Sequence, residues 1–200
     1  MASDVDIVNM ALAKLGHGAI ASLLDDSDSA RAANAVYAIC RDDVEAAHPW
    51  NFNTKWIKLA QVTGTPANPD FKLAYALPGE VLQVWSLGEN VAKWAWVVEG
   101  KQLLTDVDLP VAQCTVRITD SALFSAPVTT AIAYRLTAEL CNSLTARRGN
   151  AQDYWQLYRD KLQEAKTSDG QEGSDFRDDD SPLADVRRLG GSGVSVNKMP

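Results

Sequence analysis

A helical pattern ends and an aromatic pattern begins within Arg41-Asp42-Asp43-Val44-Glu45-Ala46-Ala47-His48-Pro49-Trp50-Asn51-Phe52-Asn53, a stretch that we call the corner. Apolar residues leading into it recur at steps of three and four, which is the spacing of one helix face. They are Ala33, Val36, Tyr37, Cys40, Val44 and Ala47. Pro49 disfavours helical dihedral angles at His48 and has no backbone N–H, so the helix is predicted to end there.

Aromatic residues follow this helix stop directly. Alternate positions are occupied by Trp50, Phe52, Thr54 and Trp56, which predicts an extended segment with these side chains on one face. Large aromatic side chains placed immediately after a helix are expected to anchor its end by packing.

Local signals predict three further helices. Ser3 and Asp6 have the spacing of a capping box, and Gly16 suits a left-handed C-terminal cap. Residues 25–29 offer N-caps for the helix that ends before Pro49, which is the second in the chain, and Pro127 fits the first turn of the third helix. The apolar stripe of helix three is Ile132, Leu136, Leu140 and Leu144. The apolar stripe of helix four is Trp155, Tyr158, Leu162 and Ala165. Only a short break at Gly149-Asn150 separates these two helices, so an antiparallel pair is predicted.

Between the corner and residue 119 the apolar period changes from helical to alternating, which predicts strands. The alternating runs are 71–77, 81–87, 94–98 and 112–118. Short turns between them favour antiparallel pairing. We therefore predict an α+β fold with three parts. Residues 1–56 and 120–168 form a bundle of about four helices, residues 57–119 an inserted small antiparallel β-sheet, and residues 169–200 an extended C-terminal tail.

The corner also carries a resemblance. Together with other pieces in the same order, it resembles the tail tubular protein A family, the head-to-tail adaptors of short-tailed bacteriophages and related prophages. The pieces include Arg41-Asp42-Asp43-Val44, His48-Pro49-Trp50-Asn51-Phe52, Ile7-Val8-Asn9, Leu15-Gly16, Tyr75-Ala76-Leu77-Pro78, Glu99-Gly100-Lys101 and Arg135-Leu136. The resemblance runs from about Ile7 to about Glu172.

Composition limits the classes of function. A 200-residue chain that is 46% hydrophobic can bury a core. No apolar run approaches ~20 residues and the N-terminus lacks a signal-peptide pattern, so we expect neither a membrane span nor export from the cytoplasm. The cysteines Cys40, Cys114 and Cys141 lie in apolar segments and are predicted to be buried thiols. With two histidines in the chain, a His-based metal site is not expected. The chain is predicted to hold no metal and no cofactor.

The net charge argues against a nucleic-acid-binding protein, and the absence of catalytic motifs argues against an enzyme. A formal charge of −7 is unsuited to nucleic-acid binding by phosphate neutralisation. The sequence contains no nucleophile elbow, paired zinc histidines or Walker loop. A glycosidase-type acid pair within Asp42, Asp43 and Glu45 stays open as an alternative, although neighbouring carboxylates on a helix point in different directions.

Two sets of residues are candidates for partner contacts. A small sheet has little interior for many tryptophans, so Trp94 and Trp96 are predicted either to fill its packed face or to meet a partner subunit. The C-terminal tail is too polar to fold alone. Its apolar residues Leu183, Val186 and Leu189, with Arg187 and Arg188 beside them, are spaced as one helix face. The tail is therefore predicted to be either an arm that docks on a partner or a solvated segment without a partner.

The resemblance implies a virion structural protein. It would be made in the host cytoplasm and form a dodecameric ring in the neck, between the portal protein and the tail nozzle protein. Double-stranded DNA would pass through without specific binding, and there would be no enzyme activity and no small-molecule substrate. Two alternatives are another neck component, such as a head-completion protein, and a tail-associated cell-wall hydrolase.

Overall fold

The computed structural model describes residues 2–88, 95–144 and 151–172. Within them the helices are α1 Asp4–Lys14, α2 Asp28–Ala46, α3 Ala126–Leu144 and α4 Ala151–Gln171. The strands are β1 Thr54–Lys58, β2 Ala60–Gln61, β3 Leu73–Ala76, β4 Val81–Leu87, β5 Trp96–Glu99, β6 Gln102–Thr105 and β7 Val111–Val116. The predicted α+β fold, with four helices and an inserted antiparallel β region, is confirmed.

The caps of α1 match the prediction. The Ser3 hydroxyl oxygen accepts a hydrogen bond from the Asp6 N–H at 3.2 Å, and the Asp6 carboxylate accepts one from the Ser3 N–H at 2.9 Å. At the other end Gly16 has a φ of +78°. This left-handed residue lets the N–H groups of Gly16 and His17 bond the carbonyls of Ala13 and Leu12.

Helix α2 begins and ends where its sequence predicts. The Ser27 hydroxyl accepts a hydrogen bond from the Ala30 N–H at 3.1 Å, so Ser27 is the N-cap. The helix ends at Ala46, just before Pro49. The predicted extended segment starting at Trp50 is wrong, because the N–H groups of Asn53 and Thr54 both bond the Trp50 carbonyl and close a turn. Strand β1 begins only at Thr54.

Helix α3 is the central element of the bundle and packs against α1, α2 and α4. The helical core contains Ile7, Leu12, Tyr37, Val44, Trp50, Ile132, Leu136 and Leu140, all buried. The predicted antiparallel pairing of α3 with α4 is confirmed. Thr130, near the start of α3, lines a groove with Glu164 near the end of α4. Arg135, further along α3, lies over Trp155 near the start of α4.

The strands divide between two antiparallel sheets, in the orders β1-β7-β4 and β2-β3-β6-β5. A second core contains Leu59, Tyr75, Val84, Leu87, Leu103, Ala112 and Cys114 from both sheets. Strand β4 matches its predicted run, whereas β2 and β6 were not predicted, because β2 has only two residues and the sequence QLLT of β6 does not alternate. Strands β1 and β2 are separated only by Leu59, so this segment forms the edge of both sheets.

Some of the predicted features lie at or beyond the ends of the described ranges. Helix α4 continues to Gln171, so the predicted start of the tail at residue 169 is wrong for its first three residues. Six of the predicted contact residues lie outside the described residues, as does the predicted break at Gly149-Asn150. These six are Trp94, Leu183, Val186, Arg187, Arg188 and Leu189. The three cysteines are buried thiols, as predicted.

Candidate functional site

The corner residues form a partly buried polar network between α2 and the end of β7. The Asp42 carboxylate accepts hydrogen bonds from Arg41 at 2.9 Å and from Arg117 at 2.7 Å. Arg117 directly follows β7 in the chain. The ion pairs of Asp42 therefore join the helical bundle to the three-stranded sheet.

Glu45 lies one turn further along α2 and is fully buried. Its Oε2 atom accepts a hydrogen bond from the Ile118 N–H at 3.0 Å, and its Oε1 atom lies 3.7 Å from Nε of Arg41. Burial raises the pKa of Glu45 to about 7, although the Ile118 N–H and the Arg41 guanidinium oppose this rise. The carboxyl group therefore changes protonation near neutral pH inside the joint between bundle and sheet.

Trp50 anchors the end of α2, as predicted from its position after the helix stop. Its side chain has no exposed surface, and its indole N–H donates to the Val44 carbonyl at 2.9 Å. The ring packs edge-on against His48, with the centroids 4.8 Å apart. The Val44 carbonyl belongs to the last turn of α2 and also accepts a hydrogen bond from the Ala47 N–H at 3.3 Å, so the indole is a second donor to the same helix end.

The same corner binds the C-terminal end of α4. The Asp169 carboxylate accepts a hydrogen bond from the Asn51 N–H at 3.1 Å, and the Asp169 carbonyl accepts one from the Asn51 side-chain amide at 2.9 Å. His48 Nε2 lies 3.4 Å from the same carboxylate. Burial lowers the pKa of His48, so its imidazole is mostly neutral at pH 7. We call these three residues the α4 clasp.

A second network holds α3 against α2 and α4. Arg135 on α3 donates to Asp43 on α2 at 2.7 Å and to Glu139 on its own helix at 2.8 Å. Its guanidinium also lies 4.4 Å from the centroid of the Trp155 ring on α4. One arginine therefore links three of the helices.

These contacts give the candidate acid pair no catalytic arrangement. Asp42 and Asp43 are ion-paired to different arginines, Arg117 and Arg135. Glu45 has the raised pKa of a general acid, but its side chain is fully buried and cannot touch a polysaccharide. The three carboxylates therefore act in the joints between elements.

No family model and no curated protein matches the chain. Across the described residues, no helix combines the length and the apolar character needed to span a bilayer. No cluster of three or more His, Cys, Asp or Glu side chains within that same part of the chain is placed to hold a metal ion.

Exposed apolar side chains form the candidate functional surface. Trp56 on β1 is 51% exposed, and Ile39 on α2 is 66% exposed. Leu109 is 77% exposed and has a φ of +50°, which is strained for a leucine. Because the Leu59 N–H bonds the Pro110 carbonyl, Leu109 lies near the end of β1 that follows Trp56. We call Trp56 and Leu109 the β patch.

The predicted contact residue Trp96 is less exposed than Trp56. Trp96 lies on the edge strand β5 and packs, half-buried, against the core between the sheets. The exposure of Trp56 was not predicted, because alternation placed it on the same face as the buried Trp50. The available signal was its flanking lysines, Lys55 and Lys58, since lysine is common on edge strands.

Proposed function

We propose that this chain is a head-to-tail adaptor of a bacteriophage virion. It would form a dodecameric ring in the neck, with the portal protein on one side and the tail nozzle protein on the other. The proposal rests on the resemblance to the tail tubular protein A family, and the corner supports it.

The residues that carry the resemblance hold parts of the fold together. Asp42, Trp50 and Asn51 contact the sheet end, the α2 end and the α4 end respectively. Each makes a contact that joins two parts of the fold. A sequence signature made of such contacts is what a scaffold protein needs, because its function depends on holding a shape.

A ring also needs two different surfaces on each copy, because its head-to-tail contacts join unlike patches. The described residues offer apolar side chains on both parts of the molecule. Ile39 is exposed on the bundle, and the β patch is exposed on the inserted sheets. We assign these surfaces to contacts between copies or with the portal and nozzle. Trp94, Trp96 and the tail residues stay predictions for the same contacts.

Net charge fits a passage for DNA. Each copy carries a formal charge of −7, so a ring of many copies is strongly anionic. Negative charge along the bore would repel the phosphates of double-stranded DNA and let it pass without binding.

Assembly is the first test. Because one of the two ring surfaces is expected to be completed only on the portal, the isolated chain should be mostly monomeric at micromolar concentration. Adding the portal of the same phage should produce rings, which analytical ultracentrifugation would detect. Stable dodecamers of the chain alone would contradict this templated assembly.

The C-terminal tail provides a second test. Deleting residues 173–200 should leave the melting temperature nearly unchanged but strongly weaken portal binding, since Leu183, Val186 and Leu189 are the proposed anchors. The deletion must begin after α4, because a cut at residue 169 would also remove the α4 clasp. Replacing Leu183 and Leu189 by serine in the full chain is the matched variant. Undiminished portal binding by both variants would assign that contact to the bundle or to the sheets.

Two alternative functions are separated by simple measurements. A head-completion protein would also bind the neck, but its copy number relative to the portal in purified particles would differ from that of an adaptor ring. A cell-wall hydrolase would clear a suspension of peptidoglycan in a muralytic assay. The buried position of Glu45 favours the adaptor over the hydrolase.

A further inference from the structure

Leu109 is an exposed side chain on a strained backbone. It is 77% exposed, and its φ of +50° lies in the left-handed region that residues other than glycine rarely adopt. The buried Tyr75 hydroxyl fixes this conformation, because it accepts a hydrogen bond from the Leu109 N–H at 3.3 Å and donates one to the Val107 carbonyl at 3.0 Å. Strained residues persist where their surroundings fix them, and they cluster at binding sites. The fold therefore presents this leucine to solvent.

An apolar groove of about 210 Å³ lies between β4 of one sheet and the β5–β6 hairpin of the other. It is lined by residues 81–84 of β4, by Leu77, and by Val98, Gly100 and Lys101 of the hairpin. Val98 is 40% exposed there. Cavities of about 150 Å³ hold a benzene-sized group, so this groove has room for a leucine side chain. We call it the β groove.

The β groove and Leu109 lie at opposite ends of β4. The groove is at the start of the strand, where Val81 pairs with Val116. Leu109 is beyond the other end, because Leu87 of β4 pairs with Ala112, which is three residues after it. Strand β4 has seven residues, and each advances about 3.3 Å, so its length keeps Leu109 away from the β groove of the same chain. A second copy of the chain can bring its own leucine to the groove.

Charges at the two places have opposite signs. Asp108 precedes Leu109 and is exposed, and Lys101 is exposed where it lines the β groove. Glu99 is in the same hairpin, but its carboxylate accepts a hydrogen bond from the Asn68 side chain at 2.6 Å. We infer that Leu109 of one copy inserts into the β groove of a second copy, with Asp108 of the first beside Lys101 of the second.

This contact joins unlike surfaces, as the head-to-tail contacts of a ring do. The inference deepens the adaptor proposal and rests on it for the assignment of Leu109 to contacts between copies. The contact itself needs neither portal nor nozzle. One leucine in one groove covers far less area than a stable complex buries, so association of the free chain is weak and the chain stays mostly monomeric at micromolar concentration.

Mixing two variants with complementary defects tests the inference in the full chain. The isotope-labelled chain is Leu109→Gly, which keeps the β groove and places glycine at the positive φ. The unlabelled chain is Val98→Asp, which keeps the leucine but puts a carboxylate in its own groove, where it repels Asp108 of another copy. At millimolar concentration the unlabelled chain should shift the amide NMR signals of Gly100 and Lys101 in the labelled chain, and the shifts should saturate.

The matched control for the unlabelled chain is Leu109→Gly/Val98→Asp. It lacks the inserted leucine, so it should bind about tenfold more weakly or worse. Leu24→Gly/Val98→Asp removes instead a leucine that is 85% exposed in the connection between α1 and α2, and it should bind like Val98→Asp. An unlabelled Lys101→Glu chain, which is changed only at the exposed turn, should give the same shifts as Val98→Asp.

Two results would overturn the inference. One is the absence of shifts at Gly100 and Lys101 with both unlabelled groove variants, and the other is equal shifts with Leu109→Gly/Val98→Asp. Because the mixture contains no portal, either failure is distinct from a failure of the adaptor proposal, which a missing ring on the portal would contradict.

Discussion

Replacing Trp50 by alanine should lower the free energy of unfolding by about 3–5 kcal/mol. The side chain is fully buried in the helical core, so the substitution leaves a large cavity between α2 and the turn that follows it. It also removes the indole hydrogen bond to the Val44 carbonyl. Urea unfolding at neutral pH, followed by circular dichroism, would measure the loss.

The matched control is Trp56→Ala, the same substitution six residues further along the chain. Because Trp56 is about half exposed, it should change the free energy of unfolding by no more than about 0.5–1 kcal/mol. Equal stability losses in the two variants would show that the anchoring role assigned to Trp50 is wrong.

The second large effect is a pH dependence from Glu45. Its pKa is about 7 in the folded chain, whereas an unfolded glutamate ionises near 4.3. A carboxyl group with a raised folded pKa stabilises the fold below its unfolded pKa, and this contribution is lost as pH rises through the folded value. The loss between about pH 4 and pH 8 is on the order of 3 kcal/mol.

Glu45→Gln isolates this contribution, because the amide keeps an acceptor for the Ile118 N–H but does not ionise in this range. The variant should gain stability relative to the unsubstituted chain as pH rises from 5 to 8. Chemical unfolding at several pH values would measure this difference. Glu164→Gln, an exposed carboxylate on α4, is the control and should show no such trend. A constant difference between the Glu45 variant and the unsubstituted chain would refute the titration.

The parts of the fold that were predicted correctly depend on short-range chemistry. Ser3 with Asp6 and Ser27 with Ala30 cap helices through contacts three residues apart, and Pro49 ends α2 because it lacks an N–H. These effects are independent of the rest of the fold, so a local pattern is enough to predict them.

The errors have a different physical origin. Alternation places Trp50 and Trp56 on one face of a continuous strand, but two N–H groups bond the Trp50 carbonyl and turn the chain first. Alternation also cannot say which face another element covers, so the exposure of Trp56 was missed. The division of the strands into two sheets depends on pairings between distant segments, such as β1 with β7.

The corner itself was recognised from the sequence, but its partners were not. Asn51 bonds Asp169, 118 residues away, and Asp42 bonds Arg117, 75 residues away. Charge alone did not identify the Asp42–Arg117 pair, because the chain has 19 Lys and Arg residues and 26 Asp and Glu residues that could combine. Asn51 carries no charge, so its contact with Asp169 gives no electrostatic signal in the sequence. The structure shows that the stretch joins the bundle, the sheet and the end of α4. This makes it a determinant of shape, in keeping with the proposed scaffold role.

Electron microscopy of the purified chain mixed with the portal of the same phage tests the adaptor proposal most directly. The proposal predicts a ring of twelve copies on the tail-facing side of the portal, with a central opening wide enough for double-stranded DNA. Portal particles that carry no added ring at saturating concentrations of the folded chain would contradict it.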